Sequence, residues 1–191
     1  MKFATAAALV PFLAAFTSAV PTPQNSPPPH RDSNNGTIIY PYATSTYAVW
    51  SGAINYGTNY GLVQKTQTSS DISTLVTFDF PASTAGRKCA FNFRLTNSAT
   101  VTGTGQADVF TSLDNPKGST TDWPQGNLRD QNAGRIQAVK GGPATLVMAF
   151  GNQGPFDCPA GHRYTGELVP TGDYDEIRWD VYTEGPEIIV Y

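Results

Sequence analysis

The side chains able to do covalent or acid–base chemistry are few, and their settings narrow what they can do. The chain has two histidines, His30 and His162, and two cysteines, Cys89 and Cys158. Serine hydrolysis needs a nucleophile, a base and an orienting acid. His30 lies in a proline-rich stretch, and no Gly-x-Ser-x-Gly elbow or comparable nucleophile setting accompanies His162. His162 therefore reads as a strand-end or surface histidine. Zinc needs three or four Cys or His ligands at short spacing, which this chain does not supply. Gly103-Thr104-Gly105 lacks the third glycine and the following helix of a dinucleotide site. Asp173, Asp175, Glu176 and Asp180 form the densest acidic group. They could offer oxygens to calcium or act as an acid–base pair on a glycosidic bond. Their spacing is not that of an EF-hand loop, and they fit better as a turn feeding a strand with a solvated face. No catalytic residue, metal or cofactor is expected.

Recognition is the better supported class of function. Secreted β-proteins bind glycans by stacking aromatic rings on sugar faces. Trp123 lies in the loop-like run Thr120-Thr121-Asp122-Trp123-Pro124-Gln125-Gly126-Asn127. Tyr56 and Tyr60 flank the turn Gly57-Thr58-Asn59. These three rings are the candidate ligand contacts, with cell-wall polysaccharide or a surface protein as partner. The structural alternative has Trp123 covering an open end of the fold and the tyrosines capping a sheet edge. A net charge of −3 with no basic run argues against nucleic acid and against an anionic membrane surface.

The elements that must position these residues begin after an export signal. Met1-Lys2 gives a basic start, residues 6–16 are nearly all apolar, and Thr17-Ser18-Ala19 puts small residues where a signal peptidase reads. Residues 1–19 are thus expected to be removed, and the apolar run falls short of the roughly 20 residues of a spanning helix. Residues 20–37 hold Pro21, Pro23, Pro27, Pro28 and Pro29 and form a linker too polar to bury. The linker carries the sequon Asn35-Gly36-Thr37, which makes Asn35 a glycosylation candidate. Export also decides the cysteines, because two thiols in an oxidising compartment pair or remain reactive. Cys89 sits among phenylalanines, where a thiolate is disfavoured. A Cys89–Cys158 bridge, either crossing between sheets or tying a core strand to the Cys158 turn, is expected. Closing a loop of about 70 residues is worth roughly 4 kcal/mol in the chain-entropy model.

Residues 38–191 read as one domain built from strands. Ile72, Thr74, Val76, Phe78 and Phe80 alternate with Ser73, Leu75, Thr77 and Asp79, and Pro81 ends the run. The same period of two runs through Cys89, Phe91, Phe93 and Leu95, through Ala144, Leu146, Met148 and Phe150, and through Ile177, Trp179 and Val181. Period two over five residues marks a half-buried strand. Trp179 is placed in the core, whereas Trp50 takes no assignment. Further strands are expected near 38–42, 46–50, 60–66, 106–113, 134–140, 162–169 and 187–191. Gly, Pro, Ser and Thr recur too often to leave room for an amphipathic helix. The fold class is all-β, a two-sheet antiparallel sandwich with one disulfide.

Two segments carry a family resemblance. Ser70-Asp71-Ile72 through Phe78-Asp79-Phe80-Pro81, followed by Ala85-Gly86-Arg87-Lys88-Cys89-Ala90-Phe91-Asn92-Phe93, resembles the first half of a fungal domain. That domain is named for the C-terminal part of a ubiquitin 3 binding protein. Phe156-Asp157-Cys158-Pro159-Ala160-Gly161 and a closing strand after Pro186 are similar to its second half. The resemblance covers residues 38–191 and implies a small secreted or cell-surface protein with no established biochemical activity. The expectation is a secreted, wall-associated, non-enzymatic module that binds glycan. A protein-interaction module would instead show an exposed apolar patch. A carboxylate-dependent glycan hydrolase would show two carboxylates facing across a cleft.

Overall fold

The computed structural model describes residues 37–121, 129–149 and 155–191. The expected signal segment and linker lie outside them, apart from Thr37, which pairs with Val190. The runs of alternating apolar and small polar residues form fourteen strands among the described residues. They are β1 (Thr37–Ile39), β2 (Pro41–Ala48), β3 (Ala53–Asn55), β4 (Tyr60–Lys65), β5 (Ile72–Asp79), β6 (Lys88–Arg94) and β7 (Thr100–Gly103). The second half holds β8 (Gln106–Ser112), β9 (Arg129–Gln137), β10 (Thr145–Ala149), β11 (Phe156–Asp157), β12 (Arg163–Pro170), β13 (Asp175–Asp180) and β14 (Gly185–Val190). A single 3-10 turn, Ala82–Thr84, follows Pro81, which ends β5 because it cannot extend the ladder.

The strands make two antiparallel sheets, as the alternation predicts. The small sheet runs β1-β14-β6-β11, and the large one runs β10-β9-β8-β12-β5-β4-β13-β7 with β2 and β3 branching from β5. Residues 74–78 of β5 pair with β12 on one edge and β2 on the other. β4 joins β5 only at Gln64–Ile72. There the buried Thr74 hydroxyl donates to the Leu62 carbonyl and accepts from the Leu62 N–H, extending the contact by a side chain.

The main core lies between the sheets, with Val76, Phe78 and Phe80 from one side and Phe93, Ile188 and Val190 from the other. Trp179 is buried as expected and meets Phe93 edge-on, with centroids 5.3 Å apart. Its indole fits because Gly61 and Gly185 flank it: a Cβ would fall 2.0 Å from the ring at Gly61 and 2.3 Å from it at Gly185. The disulfide also forms, between Cys89 in β6 and Cys158 just after β11. Because β11 pairs with β6, the bridge ties a core strand to the Cys158 turn within one sheet.

Three features differ from the expectations, and one unassigned residue finds its place. The strand from Ile72 is buried on both faces, because Leu75 packs with Tyr47 and Ile54 in a second cluster on the outer side. Leu146 and Met148 are exposed beside Val147, since β10 is an edge strand with an irregular register between those two residues. Trp50, which had no assignment, stands exposed on the turn between β2 and β3. Asp175, expected on a solvated stretch, is fully buried.

Candidate functional site

The buried Asp175 carboxylate is spent on structure. It accepts from the Thr104 N–H, from the Thr104 hydroxyl at 2.7 Å and from the Gly105 N–H at 3.1 Å, and so caps the Gly103–Gly105 turn. Gly103 sits there at φ +71, where a Cβ would strike the Tyr174 carbonyl. Glu176 accepts from Gln64 Nε2 at 3.2 Å, and Asp180 accepts from the Tyr182 N–H at 2.9 Å. Among the described residues the acids are not gathered with other ligands into a metal-binding group. His162 is exposed at the start of β12 and uses its backbone, not its ring, to bond Phe80.

The candidate aromatic contacts take separate settings. Trp123, Asn35 and the residues around them lie outside the described residues. Tyr56 is half-buried against the Tyr47–Ile54–Leu75 cluster, and its N–H donates to Ser119 Oγ at 3.0 Å. Burial, and after it the neighbouring Tyr42, raise the pKa of its hydroxyl, with Arg163 pulling the other way. Tyr60, in β4, lies under the Arg178 guanidinium at 4.4 Å. No contact joins the two rings among the described residues.

A concavity lies elsewhere, between the sheets. One edge of β6 is covered by β14 over its whole length. The other edge meets β11 at Lys88–Cys89 and the chain near Pro143 at its far end, where Ala144 N–H donates to the Phe93 carbonyl. Between these two clasps, residues 90–92 have no strand partner on that edge among the described residues. A groove of about 680 Å³ lies between the sheets beside Phe91. Its large-sheet wall carries Val76, Phe78 and Leu168, and its small-sheet wall carries Phe91 and Ile188. Phe156 and Tyr164 stand at the mouth, 40% and 45% exposed. An adjoining hollow of about 230 Å³ shares Phe91, Val109 and Phe156 and reaches Leu146 of β10.

One glycine makes the floor. Tyr164, Gly166 and Leu168 face inward along β12, and a Cβ on Gly166 would meet only the Phe110 carbonyl, at 3.2 Å. The absent side chain is groove volume. Behind this floor, on the outer face, Glu167 is fully buried. It accepts from Ser73 Oγ at 2.5 Å and from Arg129 Nε and Nη2, both at 2.8 Å. Those bonds to Glu167 raise the Arg129 pKa against the opposing cost of burial. Arg129 also lies 4.8 Å from the centroid of the Phe110 ring. The fork thus links β5, β8, β9 and β12, the strands that form the large-sheet wall. A bidentate pair fixes geometry as well as charge.

Strand periodicity does not reveal this groove. An isolated glycine inside a strand often marks a close approach or a gap, so Gly166 was the one available signal. Residues 55–180 match the family model described as the ubiquitin 3 binding protein But2 C-terminal domain. The chain belongs to this family. The But2 C-terminal domain match runs from the last residue of β3 to the last residue of β13. It takes in both cysteines and every groove-lining residue except Ile188. No curated protein matches the chain. Among the described residues no helix of this But2 C-terminal domain protein is long and apolar enough to cross a membrane.

Proposed function

We propose that this protein is a non-enzymatic binding protein of the cell exterior whose site is the inter-sheet groove and whose ligand is a small apolar molecule. The observation that carries the reading is the groove itself, apolar on both walls and floored by Gly166. Its volume lies within the range of small-molecule sites, about 300–1000 Å³. The Asp157 carboxylate beside it is paired with Lys88, and the Glu167 carboxylate behind its floor is held by Arg129 and Ser73, which speaks against acid–base work. The export signal and the disulfide support an extracellular or wall-associated place. The family's description, a ubiquitin 3 binding protein, also speaks for binding.

The test is titration of the mature protein with the neutral fluorophore N-phenyl-1-naphthylamine. A saturable, one-to-one enhancement is expected. It should be lost in Gly166→Leu, whose side chain occupies the floor, while circular dichroism stays that of the wild type. An unsaturable or absent response in the wild type overturns the reading.

A polar cleft of about 460 Å³ at the Arg94 end of β6 favours a second reading, glycan binding. Tyr40, Tyr182, Arg94 and Asn97 line it, the ring-and-amide mixture that sugars take. Co-sedimentation with chitin and β-glucan, compared with Tyr182→Ala and Trp123→Ala variants, tests it. Retention lost in Tyr182→Ala assigns the cleft, and retention lost only in Trp123→Ala moves the site to the Trp123 loop. No retention of the wild type removes the glycan reading.

A further inference from the structure

Building on the groove reading, we infer that the site selects a neutral apolar molecule bearing a hydroxyl or carbonyl group, and discriminates against an ionised fatty acid. The charge around the groove carries this. No lysine, arginine or histidine lines it among the described residues. Four cations on the neighbouring strands have partners, and Arg94 of β6 lines the other cleft. Arg129 is forked onto Glu167 behind the wall, and Arg135 is paired with Asp108 at 2.7 Å. Arg163 lies 3.8 Å from the centroid of the Tyr42 ring and pairs with Asp79. Lys88, near the mouth, is held by Asp157 at 2.8 Å. A carboxylate drawn into this site would leave water without meeting a free counter-charge, and an unpaired buried charge is strongly unfavourable. It would also approach Asp157, a like charge.

The polar groups that remain suit an uncharged oxygen. Asn132 lines the groove and uses its carboxamide oxygen on the Gly134 N–H at 2.9 Å, which leaves its NH2 as the group to offer. Gln131 adds a second carboxamide, and Tyr164 adds a hydroxyl at the exposed mouth. A few neutral donors at the rim of an apolar cavity fix one oxygen of a ligand while the aromatic walls take its hydrocarbon body. Apolar alcohols and ketones, terpenoid or straight-chain, fit this description, and their carboxylic acid analogues at neutral pH do not.

Displacement of bound N-phenyl-1-naphthylamine at pH 7.5 by matched pairs tests the selectivity. The pairs are 1-dodecanol with laurate and farnesol with farnesoic acid. Each alcohol is expected to displace the probe at a concentration at least tenfold below that of its acid. Asp157→Lys, which puts a cation at the mouth, should shift the ratio towards the acid. Equal displacement by alcohol and acid overturns the selectivity while leaving the groove reading standing. Failure of the wild type to bind the probe at all removes the groove reading and this inference with it. If Asp157→Lys leaves the ratio where it was, charge at the mouth is not the selecting feature and the inference fails.

Discussion

Glycines mark the two places where a missing side chain matters most. At Gly166, which lines the groove, an added Cβ would come within 3.2 Å of the Phe110 carbonyl alone, whereas at Gly61 the space is filled by the Trp179 indole. The same substitution therefore meets a far harder obstacle at Gly61. Gly61→Ala forces a Cβ into an aromatic ring already packed against Phe93, so either the indole or β4 must move. Overpacking of this kind costs about 1–3 kcal/mol or more. A methyl added at Gly118 would have nothing within 4 Å, and the backbone there is not left-handed, so Gly118→Ala serves as the matched control. Urea unfolding should show Gly61→Ala destabilised by at least about 2 kcal/mol, with Gly118→Ala within about 0.5 kcal/mol of wild type. Equal midpoints for the two variants would refute this account of how the indole is seated.

Strands β5, β8, β9 and β12 act together through Glu167. A carboxylate with no solvent exposure persists because Arg129 and Ser73 satisfy it. Removing the cation by Arg129→Met leaves the buried charge uncompensated, a loss of about 3–5 kcal/mol. Replacing both partners, as in Glu167→Gln with Arg129→Met, removes that charge and should recover a large part of the loss. The difference appears as a coupling energy in a double-mutant cycle. Additive losses would mean that the pair holds nothing in place. β10 and β11 show the contrasting arrangement at the groove side of the molecule. Both are edge strands, and each leaves large apolar side chains, Leu146 and Phe156, in contact with solvent.

The disulfide works at the scale of the whole molecule. It joins residues 69 apart and clasps the β11 turn to β6, forming one end of the groove. Its removal by paired Cys89→Ser and Cys158→Ser substitutions is expected to lower stability by about 4 kcal/mol, the loop-closure value. Probe affinity should fall as well, because the Phe156 wall loses its anchor. A variant that is destabilised yet binds the probe with wild-type affinity under native conditions would show that the clasp supports the fold without shaping the groove. The two concavities, one apolar and one polar, share no lining residue among the described residues, so an apolar ligand and a sugar would not compete for the same side chains.

Local pattern along the chain was enough for the all-β class, for β5, β6, β8 and β12–β14, for the Cys89–Cys158 pairing and for the burial of Trp179, but it missed β3, β7 and β11 and split β2 between two expected strands. The features it did place follow from short-range causes: period-two alternation, turn residues, and two thiols with no other partner. Alternation could not tell that both faces of β5 are covered, since that depends on the Tyr47–Ile54 cluster packing from elsewhere in the chain. Nor could it place Leu146 and Met148 in solvent, because an edge strand and a central strand share the same pattern. Asp175 reads as an ordinary surface acid until the Thr104 turn is brought to it, and Glu167 carries no local signal of the Arg129 fork that satisfies it. The groove was the least legible feature of all. Its lining comes from β5, β6, β8, β9, β12 and β14, strands far apart in the chain, so no local pattern announces it.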